Sequence, residues 1–213
     1  MMLTTDDHEK VSAAVVKAES GLTAEIVPCV FEQSSPYPES IWAGAGAGMS
    51  LAVAALFLLD MFHPLWLPLS RLILWVPAAG LLGAALGRWC GPAKRALIGG
   101  RRMEEAVARR AKEVYFDRGI ANTAGRDGVL IFASLLEHRV IVLADETVRA
   151  KVPAAAWDGA VAAMTALAAE GRVADGLCAA VEKTAAAMAA SGFAGKPASG
   201  NELGDEPHTG DGR

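Results

Sequence analysis

Three aspartates stand where an α/β fold places ligand-binding loops. Asp117 and Asp127 bracket the loop before an apolar run at 128–135, and Asp145, with Glu146 beside it, follows a second run at 139–144. Carboxylates converging at strand ends could hold a hard divalent cation, calcium or magnesium, which takes oxygen ligands and acidifies its bound water. The chemistry would then be cation-dependent, phosphatase-like hydrolysis. Each residue also has a plainer use: Asp127 as a turn former, Asp145 as a helix N-cap, Asp117 as a solvated helix-end charge. Covalent phosphatase routes find no support, because neither a Cys-x5-Arg loop nor an Asp-x-Asp-x-Thr motif occurs.

The other chemistry-bearing residues are dispersed. His8, His63, His138 and His208 are too scattered for a zinc site, and Cys29, Cys90 and Cys178 form neither a CxxC knuckle nor a disulfide framework. Free thiols suit a reducing compartment. Gly99-Gly100-Arg101-Arg102 precedes a helical pattern but lacks the Lys-Ser/Thr of a P-loop, so it reads as a flexible joint. A net charge of −4 across 213 residues gives no reason to expect a nucleic-acid partner.

A hydrophobic fraction of 53% and a mean hydropathy of +0.30 imply that some apolar sequence faces lipid. Two segments are candidates. Within 40–62, residues 40–59 carry no charge, a stretch of 20 that matches a hydrocarbon core of about 30 Å. A turn around Asp60, His63 and Pro64 follows, and 65–89 forms a second transmembrane helix interrupted by Arg71, which snorkels to an interface. Trp42, Trp66 and Trp89 lie near the ends as an aromatic belt, while Trp75 does not. Gly44, Gly46 and Gly48, with Gly83 and Gly87 opposite, would let the two helices approach closely. Arg88, Lys94, Arg95, Arg101 and Arg102 crowd after the second span, where they set topology or meet lipid headgroups. Both termini are then cytoplasmic, and residues 1–20 are too charged for a cleavable signal.

On either side lie α/β elements. Asp6 and Glu9 suggest a capping box for a helix ended by Gly21, followed by a strand at 23–31 in which Pro28 argues for an edge or a bulge. A Pro- and Ser-rich linker spans 32–40. A helix is expected at 101–118, a hairpin from 128–135 and 139–144, and helices beginning at Pro153 and Asp175. Residues 192–213, rich in Gly and charge, are expected to be disordered.

The segment 119–145, GIANTAGRDGVLIFASLLEHRVIVLAD, resembles the core of the TPM domain family. Its Gly-Val-Leu-Ile strand falls on 128–131 and its Glu-x-Arg-Val turn on 137–140, with Trp157 and Gly176-Leu177 in the following helices. The early stretch 18–26, AESGLTAEI, resembles the family's first helix and strand. The resemblance implies an α/β, three-layer αβα sandwich of the TPM type, interrupted by a two-helix transmembrane hairpin. Residues 1–32 and 101–191 would form the sandwich, 40–62 and 65–89 the spans, and 192–213 the tail. It also implies a module for the interaction, assembly or maintenance of a membrane protein complex, or a phosphatase-like activity with a divalent cation.

The expectation is therefore an integral inner (plasma) membrane protein whose partners are membrane lipids and another membrane protein. The alternative is the hydrolase built on Asp117, Asp127 and Asp145.

Overall fold

The computed structural model describes residues 3–62, 69–123, 125–195, 203–204 and 206–210. They divide into two compact units, Met1–Ser35 with Glu104–Arg213, and Pro36–Met103.

In the first unit, helix α1 (Thr5–Glu19) starts from Thr4, whose extended backbone leaves its hydroxyl free to accept from the Asp7 N–H, while the Asp7 carboxylate accepts from the Thr4 N–H at 2.9 Å. The capping box is thus Thr4 with Asp7 rather than Asp6 with Glu9. Strand β1 (Ile26–Phe31) is shorter than the expected 23–31, because Leu22 bridges to Ala194 and the Thr23 N–H donates to the Phe193 carbonyl instead. Three further strands join it: β2 (Val129–Ser134), β3 (Arg139–Ala144) and β4 (His208–Gly210). Their order is β3-β2-β1-β4, with β1 parallel to both β2 and β4 and β2 antiparallel to β3.

Pro28 explains why β1 is only half covered on its outer side. The Glu25 and Phe31 carbonyls accept from the Val129 and Leu135 N–H groups, so odd-numbered β1 residues address β2 and even-numbered ones face outward. There the Ile26 N–H is taken by the Glu19 carboxylate at 2.7 Å, Pro28 has no donor to leave unmade, and β4 begins pairing only at Cys29. The first half of β1 is an edge, as the proline requires. The described part of 192–213 is also not structureless, since β4 lies within it and the Glu32 N–H donates to the Gly210 carbonyl.

The pleat divides the core in two. Ile26, Val30, Val129, Ile131 and Ala133 pack with α1 and with α6 (Glu146–Lys151), α7 (Asp158–Ala169) and α8 (Val173–Met188). Val27, Cys29, Phe31, Leu130 and Phe132 pack against α5 (Gly100–Asp117) through Val107, Ala111, Val114 and Tyr115. Both faces of β2 are fully buried, and each large apolar side chain so placed stabilises by about 1.5–3 kcal/mol. Asp175 sits inside the first turn of α8 rather than at its cap, bonded to Lys10 of α1 and Arg172.

The expected three-layer αβα sandwich is corrected by this arrangement. Helix dominates the chain, the sheet is small and mixed, and its coverings are unequal, with α1, α6, α7 and α8 on one face and chiefly α5 on the other among the described residues. A strand of three residues and a β3 that stays partly exposed are too little sheet for a clear middle layer.

The second unit holds α2 (Glu39–Phe62), α3 (Leu69–Trp89) and the short α4 (Gly91–Leu97). Here the two-helix transmembrane hairpin is also corrected: among the described residues only α2 is long and apolar enough to cross a membrane. Helix α3 carries Pro77 within it, and between Arg71 and Arg88 its uncharged run spans about 24 Å at 1.5 Å per residue, short of a core of about 30 Å. The expected turn at His63 and Pro64, Trp66 and the start of the second span at 65–68 lie outside the described residues, as does the Arg71 side chain.

Helices α2 and α3 meet backbone to backbone. A Cβ on Gly44 would strike the Gly83 carbonyl, one on Gly48 the Ala79 carbonyl, and one on Gly87 the Ser40 carbonyl, so the pairs run in opposite senses along the two helices. The Ser40 hydroxyl donates to the Gly87 carbonyl at 2.8 Å. Gly46 faces open space and takes no part. In detergent unfolding of the purified protein, Gly44→Ala is expected to destabilise the helix pair by about 1–3 kcal/mol, whereas Gly46→Ala is expected to be neutral or slightly stabilising through its better helix propensity.

The seating of β4 should depend on pH. Burial, and then the Arg118 charge, hold the half-buried His208 imidazole below its ordinary value, with Glu206 opposing them. A depressed histidine pKa disfavours the protonated form in the seated tail, so seating is unaffected above about pH 6.5 and weakens as pH falls through that value. Hydrogen exchange at the Glu32 amide, corrected for intrinsic rates, should be less protected at pH 5.5 than at 7.5, and His208→Gln should remove the difference.

Candidate functional site

Chemistry-bearing side chains meet at the carboxyl ends of β1 and β2, where α/β sheets commonly bind ligands. Ser34 follows β1, Ser134 closes β2, and Glu137 sits in the four-residue turn into β3. The Ser34 hydroxyl donates to Ser134 Oγ at 2.7 Å, the Ser134 hydroxyl donates to Glu137 Oε2, and the Ser34 N–H donates to Glu137 Oε1 at 2.9 Å. Glu137 is 5% exposed and Ser134 only 2%. A hydroxyl beside a carboxylate has the makings of an activated nucleophile, but this one cannot meet a substrate from within the core. Its chemistry is structural: a buried carboxylate whose donors come from two separate strand ends, fastening the exit of β1 to the β2–β3 turn. His138, with φ of 52°, completes that turn in the left-handed region.

A cavity of about 300 Å³ opens nearby, on the α7 and α8 face, lined by Ala133, Val140, Met164, Thr165, Ala168 and Val173 among others. Ser134 and Arg139 border it but the pleat turns their side chains toward α5, where Arg139 pairs with Glu104 at 3.8 Å. The cavity is therefore apolar in character.

The three aspartates are not brought into one cluster. Asp117 is exposed at the end of α5, and the Asp127 N–H donates to the buried Thr123 hydroxyl within its loop. Asp145 caps α6, its Oδ1 accepting from the Glu146 N–H at 2.7 Å. Burial, with the Asp145 charge added to it, pushes the neighbouring Tyr115 phenol up to about 12. Among the described residues no group of three His, Cys, Asp or Glu side chains is placed to hold a metal ion, so these carboxylates are not gathered into a calcium or magnesium site. Of the basic residues, Arg88, Arg101 and Arg102 are exposed, and Lys94 and Arg95 are half-buried on α4.

Sequence reading placed Glu137 in a turn and Ser34 in a linker, and missed that they meet. The signal available was slight: the register pairing Phe31 with Ser134 leaves Ser34 just past the end of the parallel pair.

No family model matches the chain, and no curated protein matches it. Among solved structures it is similar to the NMR structure of the BA42 protein from the psychrophilic bacterium Bizionia argentinensis sp. nov., at 17% identity, covering 99% of this chain and 97% of that one, with a TM-score of 0.60. At that identity the likeness shows the fold alone.

Removing the fastening should cost stability. Ser134→Ala deletes the donor to Glu137 and the acceptor for Ser34, and Glu137→Ala strands the Ser34 N–H; each should destabilise the protein by about 1–3 kcal/mol in chemical denaturation. Thr165→Ala, on the cavity wall, should change it by less than about 0.5 kcal/mol.

Proposed function

We propose that the chain is a membrane-anchored protein of the inner (plasma) membrane, held by α2 with α3 packed along it. Its α/β unit serves as an interaction, assembly or maintenance module for a membrane protein complex. The observation that carries the anchoring is the outer surface of α2. Leu51 is 73% exposed and Phe57 69%, with Val53, Leu58, Leu59, Met61 and Phe62 exposed beside them. A helix without a polar face is not stable against water, and a contiguous apolar surface of this kind is matched by lipid. The module role rests on the resemblance of 119–145 to the TPM domain, and it is favoured over hydrolysis because Ser134 is enclosed and the aspartates are dispersed.

The full chain should float with neutral phosphatidylcholine vesicles and resist alkaline extraction. Leu51→Lys combined with Leu58→Lys should shift most of it to the soluble fraction, since a cation at the centre of a span costs about 2.5–3.5 kcal/mol. Wild-type protein that stayed soluble would refute the anchor. Crosslinking in native membranes should join the α/β unit to another integral membrane protein, and recovery of the chain alone would refute the module.

A further inference from the structure

We infer that the end of the α2–α3 pair bearing Trp42 and Trp89 is a collar that binds the headgroups of anionic phospholipids. The inference rests on the membrane-anchored reading above and names the lipid class that anchor selects. In sequence the cations of 88–102 trail away from the end of α3, and a straight helix would carry the last of them about 20 Å beyond it. Tertiary structure gathers them instead.

The chain breaks at Cys90 and returns as α4, so that Leu97 Cδ1 lies 3.4 Å from where a Cβ on either Gly44 or Gly87 would stand. It returns a second time at Arg102, whose Nε donates to Glu39 Oε1 in the first turn of α2 at 3.2 Å. Lys94, Arg95, Arg101 and Arg102 are thereby drawn to the level of Arg88 and the start of α2.

At that level the aromatic belt is also present. Trp42 is 78% exposed and Trp89 76%, and the Arg88 guanidinium lies 5.9 Å over the Trp89 ring. Indole rings with an apolar body and a polar N–H favour the headgroup boundary, which fixes the depth at which the cations sit. Residues 88–102 contain five cations and no acid, and Glu39 is folded in beside Arg102. Guanidinium groups bond phosphate oxygens in pairs, and a juxtamembrane basic cluster is attracted to an anionic leaflet. The phosphodiester and net negative charge of an anionic lipid fit this collar, and a zwitterionic headgroup satisfies only half of it.

The test uses the full chain in mixed vesicles, reading quenching of tryptophan fluorescence by brominated phosphatidylglycerol or brominated phosphatidylcholine at equal mole fraction. Wild type should associate with the phosphatidylglycerol at least about fivefold more strongly, and the preference should fall toward unity in 1 M salt. Arg88→Gln with Arg101→Gln, both exposed, should lower it by at least about fivefold while quenching by the neutral lipid is unchanged. Equal quenching of wild type by the two lipids would overturn the collar and leave the anchor standing. Absence of quenching by either lipid would overturn both. The salt series decides the question even if the substituted protein folds poorly.

Discussion

Everything in the α/β unit depends on β1 lying parallel and in register beside β2, with Ile26 opposite Val129 and Phe31 opposite Ser134. These strands are separated by almost a hundred residues of chain, yet their ladder is buried on both faces. Parallel strands cannot be joined by a tight turn, so a long crossover is obligatory, and loop-closure entropy grows only slowly with its length. That is why residues 36–103 can be interposed between β1 and α5 at modest cost to the sheet. The pairing must be secured by side chains instead, and Ser34, Ser134 and Glu137 do this where the two strands end.

The same economy of buried polar groups recurs at the other edge. Glu19 occupies the Ile26 N–H, Pro28 presents no donor, and the tail strand covers only Cys29 to Phe31. An edge open to another strand is thus closed by a carboxylate, an imide nitrogen and three residues of tail. In the second unit the corresponding device is the removal of side chains. Gly44, Gly48, Gly83 and Gly87 bring α2 and α3 to backbone contact, and Leu97 fills the notch that Gly44 and Gly87 leave. Shape complementarity between the two backbones holds that pair together.

Much of the element structure was legible because local periodicity dictates it: the β2–β3 hairpin, α5, and the uncharged run of α2 all follow from residue spacing. The errors fell at a helix cap and where a residue's role depends on a distant partner. Asp6 and Glu9 have capping-box spacing, but Thr4 and Asp7 form the box because Thr4 supplies the extended residue before the helix. The tail composition suggests disorder, yet His208–Gly210 gains a ladder from β1 that no window of the tail contains. The sandwich and the second span were expected from pattern and resemblance. They gave way because β4 is so short and because Arg71, Pro77 and Arg88 crowd α3.

By itself the sequence determined the main helices and the β2–β3 hairpin, the uncharged run of 40–59, and the crowding of cations after the second apolar stretch. Those properties are set by side-chain polarity and short-range spacing, which the chain carries wherever it folds. Only the tertiary structure decided that Asp117, Asp127 and Asp145 form no common cluster and that Ser134 is sealed beneath Glu137. It alone also folds Leu97 back onto Gly44 and Gly87 and Arg102 onto Glu39. Each of these is a meeting of residues far apart in the chain, and packing, not composition, determines which of them meet.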